Sequence, residues 1–178
     1  MRQDALQQDT EPPERDAVDA IVEQWHRERP DLDPGAKHVT GRVVRLAGIF
    51  QQAYDEAFAP IGLAAGDYGM LVALRRAGPP HRLTPTDLAR QRMMTSGGMT
   101  AAIDRLERKG LVDRRPNQED RRGTLVGLTP AGLDVVDEAM ARHAEAEQAL
   151  VAGLDDDERD RLASLLRRLL LSVDAGGA

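Results

Sequence analysis

The chain has 178 residues, a formal net charge of −6, no cysteine, and 41% hydrophobic against 30% charged residues. That is the length of one domain with apolar content enough for a core, and the lack of cysteine excludes a disulfide framework, a thiolate nucleophile and a thiol redox switch. No apolar run approaches the ~18 residues of a membrane helix, and Met1 to Pro13 is polar and acidic rather than leader-like, so a cytoplasmic protein is expected.

In chain order, residues 1–13, rich in Gln, Asp, Glu and Pro, are expected to form a disordered tail. Ala17, Ile21 and Trp25, helped by Val18 and Val22, predict one helical face ending before Pro30, and Asp31 to Gly35 a turn. Val39, Val43, Leu46, Phe50, Ala53, Tyr54 and Ala57 recur at three and four residues and predict a long helix that stops at Pro60. A further helix is predicted from Asp67 to about Ala77, with Met70, Leu71 and Leu74 inward and a break at Gly78-Pro79-Pro80.

The stretch from Thr84 to Leu128 is the most informative. Thr84-Pro85-Thr86-Asp87 places a hydroxyl at an N-cap, proline at the first helical position and a carboxylate near the positive end of the dipole, predicting a helix to about Gln91. A second start at Thr95-Ser96 is followed by Met99, Ile103 and Leu106 at helical spacing, and Gly110 supplies the left-handed turn that ends the helix. Leu111-Val112 and Leu125-Val126 then flank an arginine-rich tip, Arg114 to Gly123, whose proline and glycine suit a hairpin. Two helices and a two-stranded wing in this order make a winged helix-turn-helix. From Arg75 to Arg122 there are twelve Lys and Arg against six acids, a local +6 on an otherwise acidic chain, which suits a basic face for duplex DNA.

Beyond the wing, Thr129-Pro130 caps a helix carrying Leu133, Val136, Met140, His143 and Leu150 along one side. Gly153 interrupts it, Asp155 to Glu158 supply acids at the next helix start, and Leu162, Leu165, Leu166, Leu169, Leu170 and Val173 form an apolar stripe that calls for a partner. The fold class is thus mainly α with a small β-wing: a winged helix-turn-helix lobe plus a helical lobe.

Groove geometry divides the candidate contacts. A helix fits the major groove, where base edges differ, which nominates Thr95, Ser96, Thr100 and Arg105; an extended arginine suits the narrow minor groove, which nominates Arg121 and Arg122, with Asp120 orienting them. Gly97 and Gly98 either lower helix propensity or admit backbone N–H groups close to phosphate.

These residues match a family. GLVDRRPNQEDRRGTLVGLTPAG, with TSGGMTAAIDRLERKG before it, resembles the MarR-type transcription regulators, whose wing carries the Asp-x-Arg motif found here as Asp120-Arg121-Arg122. The resemblance covers roughly Ala36 to Val173, and the helix Val18 to Glu28 with Trp25 looks like the extra N-terminal helix of the urate-responsive branch. It implies a ligand-responsive repressor that binds a pseudo-palindromic operator as a homodimer. Residues 66–128 would be the reading lobe in a single domain at 14–178, with dimerisation helices at 14–60 and 130–173 and Leu162, Leu165, Leu166 and Leu169 in the dimer core. A small anionic or aromatic effector is implied as partner, touching Trp25 and Arg114. Gly69 and Ala102 stand where that branch has an aspartate and a helix arginine, which disfavours urate itself; Trp25 as plain core or interface filler is the alternative. The peroxide-sensing mode of some relatives is excluded by the absence of cysteine.

Many members of the branch have Asn-Arg where this chain has Ala101-Ala102, positions that offer no side-chain hydrogen bond. A protein-interaction dimer that has lost operator reading is therefore the alternative function. His26, His38, His81 and His143 lack the spacing of a metal site; His143, four residues before Glu147, is expected to be a hydrogen-bonded interface residue. No nucleophile elbow, phosphate loop or nucleotide fingerprint is present, so neither an enzyme, a cofactor nor a metal is expected.

Overall fold

The computed structural model describes residues 15–92, 96–117 and 123–176. Packing divides the chain into two compact units, Met1–Ile49 and Phe50–Ala178.

In the first unit, α1 (Ala17–Glu28) begins at a reciprocal cap: the Asp16 carboxylate accepts from the Val18 and Asp19 N–H groups at 2.7 and 3.2 Å, and the Asp19 carboxylate accepts from the Asp16 N–H at 3.0 Å. Arg42, on the first part of α2 (Lys37–Phe58), donates to Asp16 and Asp19 at 2.9 and 2.8 Å. Gly41 faces Val18: a Cβ there would lie 3.1 Å from Val18 Cγ1, a tight contact with that side chain. Val18 and Val22 are buried, whereas Ile21 and Trp25 remain 45% and 43% exposed. The buried face of α1 is therefore turned from the Ala17, Ile21, Trp25 face that periodicity suggests. The Lys37 ammonium sits 5.8 Å from the centre of the Trp25 ring, a cation–π contact.

The second unit carries the remaining elements: the end of α2, a 3₁₀ turn at Ala59–Ile61, α3 (Ala65–Arg76), β1 (Arg82–Leu83), α4 (Pro85–Arg92), α5 (Ser96–Arg108), β2 (Val112–Pro116), β3 (Thr124–Leu128), α6 (Pro130–Leu150) and α7 (Asp156–Gly176). The antiparallel sheet has the order β1-β3-β2, with Arg82 opposite Gly127 and Arg114 opposite Val126. Strand β1 has no counterpart in the sequence reading, because two residues carry no periodicity. Phe58, Leu71, Leu74, Leu88, Leu106 and Val126 are fully buried, each stabilising the fold by about 1.5–3 kcal/mol.

His143, expected to be a hydrogen-bonded interface residue, is partly buried and pairs within its protomer. Its ring stacks on Tyr54 and Tyr68 at 4.4 and 4.9 Å between centroids, and its Nδ1 lies 3.3 Å from the Glu147 carboxylate, so it packs within its own protomer. The start of α6 is anchored to the turn after α5. Thr129 Oγ1 accepts from Gly132 N–H at 2.9 Å and donates to the Gly110 carbonyl at 2.7 Å, while Thr129 N–H donates to the Leu111 carbonyl at 3.1 Å. At Gly132 a Cβ would stand 1.9 Å from the Leu111 carbonyl oxygen, so only glycine fits.

Helix α7 opens on a reciprocal cap between Asp155 and Glu158 and has no buried residue. Leu162, Leu165, Leu166 and Leu169 are 41%, 50%, 40% and 42% exposed, an apolar stripe that one protomer leaves uncovered. Among the described residues, no single helix is long and apolar enough to cross a membrane.

Candidate nucleic-acid interface

Helix α4 starts where its cap predicts: Thr84 Oγ1 accepts from Asp87 N–H at 3.1 Å and donates to the Asp87 carboxylate at 2.8 Å. Helix α5 buries Met99, Ala102, Ile103 and Leu106 and leaves Thr100, Ala101, Asp104 and Arg108 outside. The Ala102 methyl thus lies in the core, whereas Ala101 is on the outer face. After α5 the chain reverses at Gly110, whose φ of +71° is the left-handed conformation that glycine adopts without strain.

The C-terminal half of α5 is held from both flanks by ion pairs of opposite sense. On one flank, Asp67 of α3 accepts from Arg105 Nε and Nη2 at 2.9 and 2.6 Å and from Lys109 Nζ at 3.1 Å, its side chain fully buried. Burial pushes the Asp67 carboxyl up, but the hydrogen bonds and charges of Arg105 and Lys109 outweigh it and hold it below the usual aspartate value. On the other flank, Arg114 of β2 bonds through Nη2 to Asp104 and through Nη1 to Glu107. Those carboxylates, Asp104 first, raise the Arg114 guanidinium above even the usual arginine value.

The wing is braced at its base. Arg82 of β1 lies across Gly127, where a Cβ would meet its side chain at 2.7 Å, and donates to Asp113 at 2.9 Å. Arg115, on the same face, donates to Asp113 at 3.0 Å and stays 65% exposed. Asp113 is raised by burial and lowered further by Arg82 and Arg115, ending below its ordinary value.

Of the residues nominated from sequence, Ser96 and Gly97 open α5, with Gly98 and Thr100 in its next turn. Thr95, Asp120, Arg121 and Arg122 lie outside the described residues. Arg105, expected to contact a base, pairs with Asp67 and keeps its side chain 46% exposed, and Arg114, expected to meet an effector, pairs with Asp104 and Glu107 and keeps 31% exposed. Trp25 is half-exposed in the other unit beneath Lys37. Sequence reasoning missed Asp67, which entered only as the first residue of a predicted helix. The available signal was a carboxylate between Leu63 and Met70-Leu71, residues that face the core.

Comparison with known proteins gives one consistent result. A MarR family model matches residues 61–123. The chain is 32% identical to the HTH-type transcriptional regulator PecS of Dickeya dadantii over 152 residues, 85% of this chain and 92% of that protein. Among solved structures, a mutant MarR from E. coli complexed with operator DNA is similar with a TM-score of 0.67 and 27% identity over 82% of this chain and 97% of that one. BpsR of Bordetella bronchiseptica, described with a mechanism for regulation of its DNA binding by 6-hydroxynicotinic acid, gives 0.66 and 25% over 75% and 94%.

Proposed function

Because this chain belongs to the MarR family, we propose that it is a ligand-responsive transcription regulator, a homodimeric repressor that binds a pseudo-palindromic operator in the cytoplasm and does no catalysis. The observation that carries this reading is α5, whose inner face is buried and whose C-terminal half is fixed on both sides, leaving the turns from Ser96 to Ala101 as the part that enters the major groove. Ser96, Thr100 and the backbone at Gly97 and Gly98 are its contacts. Thr95 precedes them, Arg121 and Arg122 reach the minor groove, and Asp120 orients those arginines. The stripe Leu162, Leu165, Leu166 and Leu169 closes the two-fold dimer.

Release follows as a population shift. A small aromatic or anionic molecule that binds the dimer form with mis-spaced reading helices weakens DNA binding by its differential affinity alone. The half-exposed Trp25 ring is the proposed stacking surface for it. The test is a salt-titrated binding assay comparing a duplex from the protein's own promoter region with a random duplex. Preference for the promoter, with a log-affinity slope against log salt of several units, is expected. Equal affinity for both duplexes would replace this reading with that of an interaction dimer that no longer reads an operator.

A further inference from the structure

A helix that approaches phosphates should not carry unpaired acids, and α5 has two acids on its outer side. Asp104 and Glu107 stand one turn apart, their side chains 50% and 41% exposed, on the flank away from the core residues Met99, Ile103 and Leu106. Of the helix's own cations, Arg105 and the adjoining Lys109 are turned to Asp67, and Arg108 donates from Nε to the Asp104 main-chain carbonyl at 3.2 Å. The charge that meets the two carboxylates comes from Arg114 on β2, whose planar fork serves both at once through separate nitrogens.

We propose that Arg114 is a positioning residue for DNA binding that acts by masking: held by Asp104 and Glu107, it cancels half of the acidic charge on the flank of α5 and ties the wing strand to the reading helix. This rests on the reading of α5 as a DNA-binding helix. The trio of Arg114, Asp104 and Glu107 carries a net −1; without the arginine it carries −2 beside a phosphate backbone, and without the acids it carries +1. The sequence resemblance assigns Arg114 to an effector, and a direct phosphate contact is a third role. The three differ in what the acids do when the arginine is gone. If Arg114 touched phosphate itself, its loss would also flatten the salt dependence by about one unit per subunit, which removing the acids would not restore.

The experiment uses the full chain and a promoter duplex at ~0.1 M salt, with Arg114→Gln, the pair Asp104→Asn with Glu107→Gln, and all three together. Arg114→Gln should weaken binding to promoter and random duplex alike by roughly tenfold, about the weight of one phosphate charge per subunit. The triple variant should return to wild-type affinity or better, and the acid pair alone, a change of two charges, should bind more tightly than wild type by at least that factor. The acid-pair variant keeps the inference falsifiable even if Arg114→Gln fails to fold. A triple variant as weak as Arg114→Gln, or an acid pair that gains nothing, overturns the masking role. Wild-type protein that binds no duplex would instead overturn the DNA-binding reading, and this inference with it.

Discussion

Asp67 and Arg105 are joined between the helix before the helix-turn-helix and the reading helix itself, with both guanidinium donors on a single carboxylate oxygen whose residue is 1% exposed. A buried carboxylate in this position is a constraint on α5, because losing its partners would leave an uncompensated charge inside the protein.

The first prediction concerns acid. The folded-state pKa of Asp67 is lowered, so its contribution is complete above the unfolded-state value of about 3.9 and is lost as pH falls through the lower folded value. Asp67→Asn should lower urea stability by about 2 kcal/mol, the scale of hydrogen bonds to charged groups. That gap should be the same at pH 7 and pH 5 and shrink only below about pH 4. Closure of the gap between pH 7 and pH 5 would contradict the assignment.

Gly132→Ala and Gly127→Ala form a matched pair. Alanine in a helix is ordinarily favoured over glycine by about 1 kcal/mol, but at Gly132 the new methyl meets a main-chain oxygen at 1.9 Å, which cannot move without dragging the turn after α5. A net loss of about 2–3 kcal/mol is expected there. At Gly127 the obstacle is the Arg82 side chain, which can swing aside at the cost of its pair with Asp113, so a smaller loss of about 1 kcal/mol is expected. Urea midpoints that rank the two the other way round would mean the crowding at Gly132 is relieved by a shift of α6.

Leu166→Asp tests the dimer. Leu166 is 40% exposed in the protomer, so the substitution should leave the helical circular dichroism of the protomer intact while costing several kcal/mol at an apolar interface. Sedimentation should show dissociation at concentrations where the wild type is dimeric. An intact variant dimer would move the interface elsewhere.

Affinity and specificity should separate between wing and helix. Arg121→Ala or Arg122→Ala should weaken binding to every duplex and reduce the salt slope by roughly one per subunit if each arginine meets one phosphate. Thr100→Ala should reduce the preference for promoter over random DNA and leave the slope nearly unchanged. The opposite pattern in a paired salt titration would reverse the two roles.

The sequence made the order of elements legible because each has a chemical stop or start: Thr84 and Thr129 cap where they should, and Gly110 turns where it should. Burial was less legible. Periodicity marks which residues are apolar but not which neighbour covers them, so Val18 and Val22 rather than Ile21 and Trp25 form the inner face of α1. Ion pairs distant in sequence were not legible at all. Asp67 lies 38 residues from Arg105 and Arg82 31 from Asp113, separations over which no spacing rule operates.

The absence of any side chain between Gly132 and the Leu111 carbonyl makes α6 a mechanical arm without a spring. Its 21 residues span about 30 Å at 1.5 Å each, and a tilt of about 5° pivoting on the far end would carry its first turn some 2.6 Å sideways. Main chain bearing on main chain has nothing compressible to absorb that travel, so the turn that ends α5 must follow. A displacement of that size approaches the ~3.4 Å rise of one base pair. A few degrees at the proposed dimer helices would therefore shift the turn that ends α5 by most of one base-pair rise.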